Sequence, residues 1–202
     1  MFDVLLIGGG VSGMSCALVL GSAKNKPFVI DKKIGIIVHQ KTSSLQEAII
    51  NNAYGIAPGT LGTDLLSESK KHLSHTYPHI TQIPDEKVLK ISGEFPEFIV
   101  ITNKNTYKSK IIIVGIGAAN TFAIEGLMEY VEMHKKIPTE KQRIQLKNND
   151  HLVSEGIYVT GTLAGWRSQV AIAAGSGAAV ATDILTLWNG GIQTQSHDSI
   201  RK

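Results

Sequence analysis

An α/β fold built on a mostly parallel sheet is predicted by three features of this 202-residue sequence. Residues 2–7 (FDVLLI) are an apolar run of strand length. The turn Gly8-Gly9-Gly10 separates them from residues 11–23 (VSGMSCALVLGSA), which read as a helix of small and apolar residues, and residues 27–31 (PFVID) read as a second strand. This is a β-turn-α-β unit of about 30 residues, the length such a unit needs. The third feature is a late strand at 156–161 (GIYVTG) feeding a long helix from Ser168 to about Asn189, with five alanines and two glycines among residues 168–179. Helices are expected on both faces of the sheet.

Between these ends the elements follow in order. Residues 44–53 are predicted helical because Ser44-x-x-Glu47 is a capping-box pattern. Residues 53–62 are a loop punctuated by Gly and Pro, and a helix runs from Thr63 to about His75. From 79 to 114 come HITQI, EKVLKISG, EFIVIT, TYKSK and IIIVG, separated by turn signals that include Asn103-Lys104-Asn105. These predict a small antiparallel meander that returns to a buried strand at 111–114. Residues 121–135 hold a helical turn or two. Residues 138–151 are polar and predict a surface loop. A single domain over 1–191 is expected, with a polar, frayed tail at 192–202.

Composition excludes several classes. Twenty basic against 17 acidic residues leave a net charge of +3, too small an excess to imply a nucleic-acid partner. Cys16 is the one cysteine, which excludes an intrachain disulfide, a CxxC pair and a cysteine-built zinc site. His72, His75 and His79 lack acidic or cysteine partners nearby, so they read as a solvated helix end and no metal site is expected. No run of about 18 apolar residues is seen, so no membrane span is expected. The N-terminus lacks a signal peptide's cationic start, and the absence of disulfides suits a reducing cytoplasm.

The strongest motif is Gly8-x-Gly10-x-x-Gly13. It follows a predicted strand, opens a helix, and precedes an acid, Asp31, by 18 residues counted from Gly13. That is the context in which the pattern signals a dinucleotide. Gly8 allows the tight turn, Gly10 lets backbone approach a pyrophosphate, and Gly13 lets helix and strand pack closely. The helix start offers unpaired N–H groups and partial positive charge to phosphates. Asp31 would accept hydrogen bonds from a ribose diol. The motif alone leaves NAD and FAD open.

Four stretches carry a resemblance to a known family. They are DVLLIGGGVSGMSCALVL with Asp31, YGIAPGTLGTDLL at 54–66, KSKIIIVGIGA at 108–118, and GIYVTGTLAGWRSQVAIAAGSGAAVATDI at 156–184. In this order they resemble the FAD half of thioredoxin reductase-like pyridine nucleotide-disulfide oxidoreductases. The resemblance implies a Rossmann-like FAD-binding domain with FAD as cofactor. It places Gly8, Gly10, Val11, Ser12 and Gly13 on the pyrophosphate, and Asp31 on the adenosine ribose with Lys32 beside it. It gives Val88 a backbone contact to adenine. Gly115 and Gly117 would line the cofactor, and Gly161 and Thr162 would face the ribitol and pyrophosphate. Ser168, Gln169 and Val170 would open the last helix at the pyrimidine side of the flavin. A helix start there would stabilise the negative charge of a reduced flavin.

Three departures from the family pattern shape the expected function. The family's Gly-Asp turn reads Gly161-Thr162. Only 43 residues separate Gly117 from Gly161, too few for the NADPH domain that the family inserts there. There is no CxxC. The expectation is a FAD-dependent oxidoreductase that takes electrons from a separate donor, a small molecule or a protein, with an open flavin face that invites a partner chain or a homodimer mate. No side chain is an evident acid or base. The alternatives are a non-catalytic FAD-binding module and an NAD-dependent enzyme. Kinship with the flavin domains of tRNA-modifying proteins is a weaker reading. Gly115–Asn120 is a near miss to a second fingerprint and reads better as a cofactor-lining turn. Cys16 is expected to be a buried apolar residue. His39 and Gln40 follow the second predicted strand; a place near the flavin is open to them, but His39 reads better as an ordinary loop histidine. Trp166 and Arg167 either pack the loop or contact the flavin, a substrate or a partner.

Overall fold

The computed structural model describes residues 1–39 and 44–196. β1 (Phe2–Ile7) runs into the glycine turn and α1 (Val11–Ser22). β2 (Ile34–Val38) follows, then a short 3-10 helix (Ser44–Glu47), β3 (Ile49–Ile50), β4 (Thr60–Leu61) and α2 (Gly62–Thr76). β5 (Thr81–Pro84), β6 (Val88–Glu94), β7 (Glu97–Thr102) and β8 (Thr106–Val114) come next. A 3-10 turn (Met128–Tyr130), β9 (Val131–Met133), β10 (Ile144–Leu146), β11 (Leu152–Ser154) and β12 (Ile157–Val159) lead to a 3-10 helix (Gly161–Ala164) and α3 (Val170–Trp188).

The main sheet has the order β11-β12-β8-β1-β2-β5, and all neighbours from β12 to β5 are parallel. β6 and β7 complete an antiparallel meander with β8. The expected meander and its return are present in β6 to β8, with TYKSK and IIIVG as one nine-residue strand, but HITQI, expected in the meander, is β5 and pairs parallel with β2. Side chains alternate across the sheet as the pleat requires. Val4, Leu6, Ile111 and Ile113 join one core with α1, α2 and α3, while Leu5, Ile7, Ile112 and Val114 join another with the meander and the β9–β10 hairpin. All three α-helices of the described residues thus cover one face. The expectation of helices on both faces is corrected, because strands and 3-10 turns cover the second face.

Other expectations are also corrected. The capping-box sequence makes one 3-10 turn and then the short β3, which pairs with β4, instead of a helix to residue 53. The polar stretch 138–151 conceals β10, whose Ile144, Gln145 and Leu146 are all buried against β9. α3 has 19 residues and a window of mean hydropathy 1.6, so, against the expectation that nothing spans a membrane, it is long and apolar enough to do so by length and composition. Here it is a core helix: Val180, Ala181, Ile184 and Leu185 are buried in the helical-side core. The tail from 197 onward lies outside the described residues, as does Gln40.

The largest correction concerns the second strand. Residues 27–31 form turns, with Val29 and Ile30 N–H donating to Lys26 O and Lys32 N–H to Val29 O. The strand beside β1 is IGIIV, buried along its whole length. Gly35 disguises it as a turn residue, but a Cβ there would meet the Phe2 ring at 2.7 Å.

Candidate functional site

The C-terminal ends of β1, β8 and β12 bring three glycine turns together. Ile7 is level with Val114, and Val114 with Val159, so the chain leaves all three strands at one rim of the sheet. In open α/β sheets this rim is where ligands bind. Gly8 has φ +111, and a Cβ on it would stand 2.5 Å from Gly115 O. Gly13 lies in the first turn of α1, and a Cβ there would stand 1.9 Å from Gly8 O. Gly8 and Gly13 of the motif thus serve close backbone packing.

The third turn closes against the same helix. Gly161 faces Ser12, with a would-be Cβ 2.7 Å from Ser12 Oγ. Gly177 lets α3 cross α1, since a Cβ there would stand 2.0 Å from Ser12 O. Gly10 caps α1 and Gln169 caps α3, neither with a side-chain hydrogen bond. Neither helix has an acid in its first turn. The first N–H groups of a helix have no partner within it. Two helix starts with uncompensated positive charge thus belong to one rim, a donor set suited to phosphate and to an electron-rich ring.

An apolar cavity of about 210 Å³ lies beside this rim, lined by Val11, Met14, Leu65 and Val170 among others. Its hydroxyls are committed elsewhere. Ser15 Oγ donates to Ala174 O at 2.8 Å and Ser69 Oγ to Leu65 O at 2.6 Å.

Gly8, Gly10, Val11, Ser12, Gly13, Gly115, Gly117, Gly161, Thr162, Ser168, Gln169 and Val170 therefore gather at or next to one rim. Gly117 is open, with nothing within 4 Å of a would-be Cβ. Val88 opens β6, three residues past Asp85, whose N–H donates to Val38 O at 3.0 Å, so it stands at the C-terminal ends of β2 and β5. Its side chain is buried in the meander-side core.

Asp31 and Lys32 are not at the rim. They precede β2, at the opposite edge of the sheet. Lys32 Nζ lies 3.9 Å from Asp3 at the start of β1 and 5.5 Å from the ring of Trp188 at the far end of α3. A helix of that length rises about 28 Å. Asp31 therefore cannot hold a ribose bound at the glycine turns. The residue that follows β2 is His39, whose Nδ1 is buried without a hydrogen-bond partner among the described residues. A glycine cradle and two uncapped helix starts fit a dinucleotide pyrophosphate, while the usual ribose-binding acid is missing.

Two groups at the site escaped sequence reading. His134 is buried, and its Nδ1 accepts from Lys136 N–H at 3.1 Å. Its Nε2–H therefore donates to Thr162 O at 3.1 Å, fixing the tautomer and the turn together. Behind Gly161, a buried set of Thr160, Ser176 and His151 connects to Trp166. No local pattern signals either group, because their members are brought together by strand pairing far along the chain.

Cys16 is fully buried on α1, and burial, with a contribution from Asp183, raises its thiol pKa far above the ordinary value. A thiol held protonated is a poor nucleophile. It is expected to resist an aromatic disulfide reagent in the native protein and to react once in denaturant. Prompt native reaction would contradict the packing of α1.

The profile of the pyridine nucleotide-disulphide oxidoreductase family matches residues 2–177. The chain belongs to this family. FAD is the family's cofactor, and the rim described above is where the residues present fit it. No curated protein matches the sequence. Solved structures share the fold at low identity. The putative thioredoxin reductase TrxB of Bacillus anthracis has TM-score 0.69 at 12% identity, covering 95% of this chain and 100% of that one. A ferredoxin-flavin thioredoxin reductase of Clostridium acetobutylicum has TM-score 0.67 at 17% identity, covering 93% and 98%. The atypical thioredoxin reductase TRi of Desulfovibrio vulgaris Hildenborough has TM-score 0.67 at 13% identity, covering 96% and 100%.

Proposed function

We propose that the protein is a FAD-dependent oxidoreductase whose flavin takes electrons from a separate donor and passes them to an acceptor other than a disulfide of its own. One observation carries this reading. Between β8 and β12 the chain builds only a two-stranded hairpin, a short edge strand and 3-10 turns, with no βαβ unit for a nicotinamide. The one thiol, Cys16, is sealed in the core.

Bound FAD supplies the hydride and electron chemistry. The chain's own residues hold and tune it. Backbone at Gly10–Gly13 and the start of α1 would take the pyrophosphate. The start of α3, at Gln169 and Val170, would face the flavin ring and favour the negative charge of its reduced form. Thr162 offers a hydroxyl where the family has a carboxylate. The largely apolar cavity between Val11 and Val170 lies on that side of the site. With no insertion over the ring, the outer face is left to a partner, either an electron-carrier protein or a second copy of this chain.

The test is anaerobic. The purified protein is expected to show flavin absorption bands and to release FAD on denaturation. Those bands should bleach with dithionite and return on adding an acceptor. Mixing with NADH, NADPH and a reduced iron–sulfur protein in turn then identifies the donor. A flavin that no donor reduces and no acceptor reoxidises favours the non-catalytic module, and bound NAD in place of FAD overturns the proposal.

A further inference from the structure

We propose that His151 is a positioning residue, whose imidazole latches the surface indole of Trp166 and, through Ser176, the Gly161–Thr162 turn at the cofactor rim. The consequence for FAD rests on the reading above; the latch itself rests on geometry alone.

Trp166 Nε1–H donates to His151 Nε2 at 3.2 Å. An indole nitrogen only donates, so Nε2 carries no proton and the neutral ring keeps its proton on Nδ1. Nδ1 is buried without a hydrogen-bond partner among the described residues and stands 3.6 Å from the Asp150 carboxylate. Because Nε2 is an acceptor, the Ser176 hydroxyl donates to it at 2.9 Å. Ser176 Oγ is then free to accept from Gly161 N–H at 2.8 Å and from the Thr160 hydroxyl at 3.0 Å. One nitrogen therefore sets the direction of every bond back to the rim.

The surroundings support a placed ring. His151, Ser176 and Thr160 are all buried. The indole stacks on the imidazole with centroids 6.0 Å apart and 21° between planes, yet it remains 41% exposed. Lys136 Nζ lies over it, 4.5 Å from the ring centre. Asp150 and His151 are consecutive non-glycine residues at φ +45 and +72. Left-handed backbone at such residues is costly and clusters at functional sites.

Protonating Nε2 would turn the acceptor into a donor and break the bond from Trp166, while the Ser176 hydroxyl would turn to accept from it. The charged groups facing the ring are Asp150 beside it and Asp183 from α3, with Lys136 reaching the indole from beyond β9.

The experiment uses the full chain carrying Trp188→Phe, which leaves Trp166 as the single emitting tryptophan. Adding His151→Leu is expected to shift Trp166 emission to the red and to weaken FAD binding about 3- to 10-fold, the effect of losing one or two net hydrogen bonds. His151→Gln, whose Oε1 restores an acceptor, is expected to recover both readouts in part. Unchanged emission in His151→Leu overturns the latch. Shifted emission with unchanged FAD affinity overturns the link to the rim. A parent that takes up no FAD overturns the reading of the site, while emission still decides the latch. If circular dichroism shows that His151→Leu does not fold, Trp166→Phe in the otherwise unaltered chain replaces it. That variant keeps the ring and removes the N–H, and full FAD affinity in it overturns the proposal.

Discussion

Gly13→Ala is expected to lower stability by on the order of 3 kcal/mol and to abolish retention of FAD through purification. The added methyl would fall 1.9 Å from Gly8 O, a backbone atom of the turn itself. Nothing at the end of a flexible side chain can move aside. α1 must tilt off β1, which costs at the upper end of what overpacking costs. The same tilt carries the first-turn N–H groups of α1 away from the rim. A urea melt reads the stability, and absorbance of the purified variant reads the flavin. Gly175→Ala is the matched control. Gly175 is exposed in mid-α3 with nothing within 4 Å of a would-be Cβ, so relief of glycine's helix penalty should raise stability by about 0.5–1 kcal/mol. Equal midpoints for the two variants would mean that α1 does not meet the turn as described.

Glu86→Ala is expected to cost about 2–4 kcal/mol, as does the loss of a hydrogen-bonded buried charge. The Glu86 carboxylate is buried and accepts from the Thr102 hydroxyl at 2.6 Å, Asn105 Nδ2 at 2.7 Å and the Tyr107 hydroxyl at 2.8 Å. It ties the segment after β5 to both β7 and β8, and so sets the rim at Asp85 and Val88. Burial acts to raise its pKa, but these three donors, helped by Lys104, more than offset that and hold it below the ordinary carboxylate value. Asp3 is similar: burial raises its pKa, while Lys33 N–H and the Lys110 ammonium bring it below the ordinary value. Both groups have folded pKa values below their unfolded ones. Their stabilisation is therefore complete above the unfolded carboxylate range, near pH 4, and is lost as pH falls through the folded values. Melts of the parent and of Glu86→Ala should converge as the pH is taken down through that range. A constant difference at all pH values would count against the charge as the cause.

The glycines of the first turn were legible because their role is local. Spacing, a preceding strand and a following helix are all contiguous in sequence, and the structure puts Gly8 and Gly13 in contact as the spacing requires. The meander was legible for the same reason, as turn signals separate its strands. The second strand was misplaced because PFVID and IGIIV are both apolar and beta-like. Only pairing with β1 on one side and β5 on the other decides between them, and that is a non-local fact. Assigning Asp31 a ribose followed from that one error. β10 was hidden because three buried residues, Ile144 to Leu146, sit within a polar stretch and reveal themselves only beside β9. His134 and His151 could not be found from spacing at all. Their partners lie 28 and 25 residues away in sequence, and the strand order brings them together.

The two bare helix starts also bear on how firmly this protein stays folded. An anion seated there neutralises charge that the polypeptide leaves uncompensated, so the folded state should gain about 2.7 kcal/mol when free flavin nucleotide exceeds its dissociation constant a hundredfold. Removing the nucleotide should therefore lower the melting temperature of the purified protein as well as end its redox competence, and adding it back should restore both.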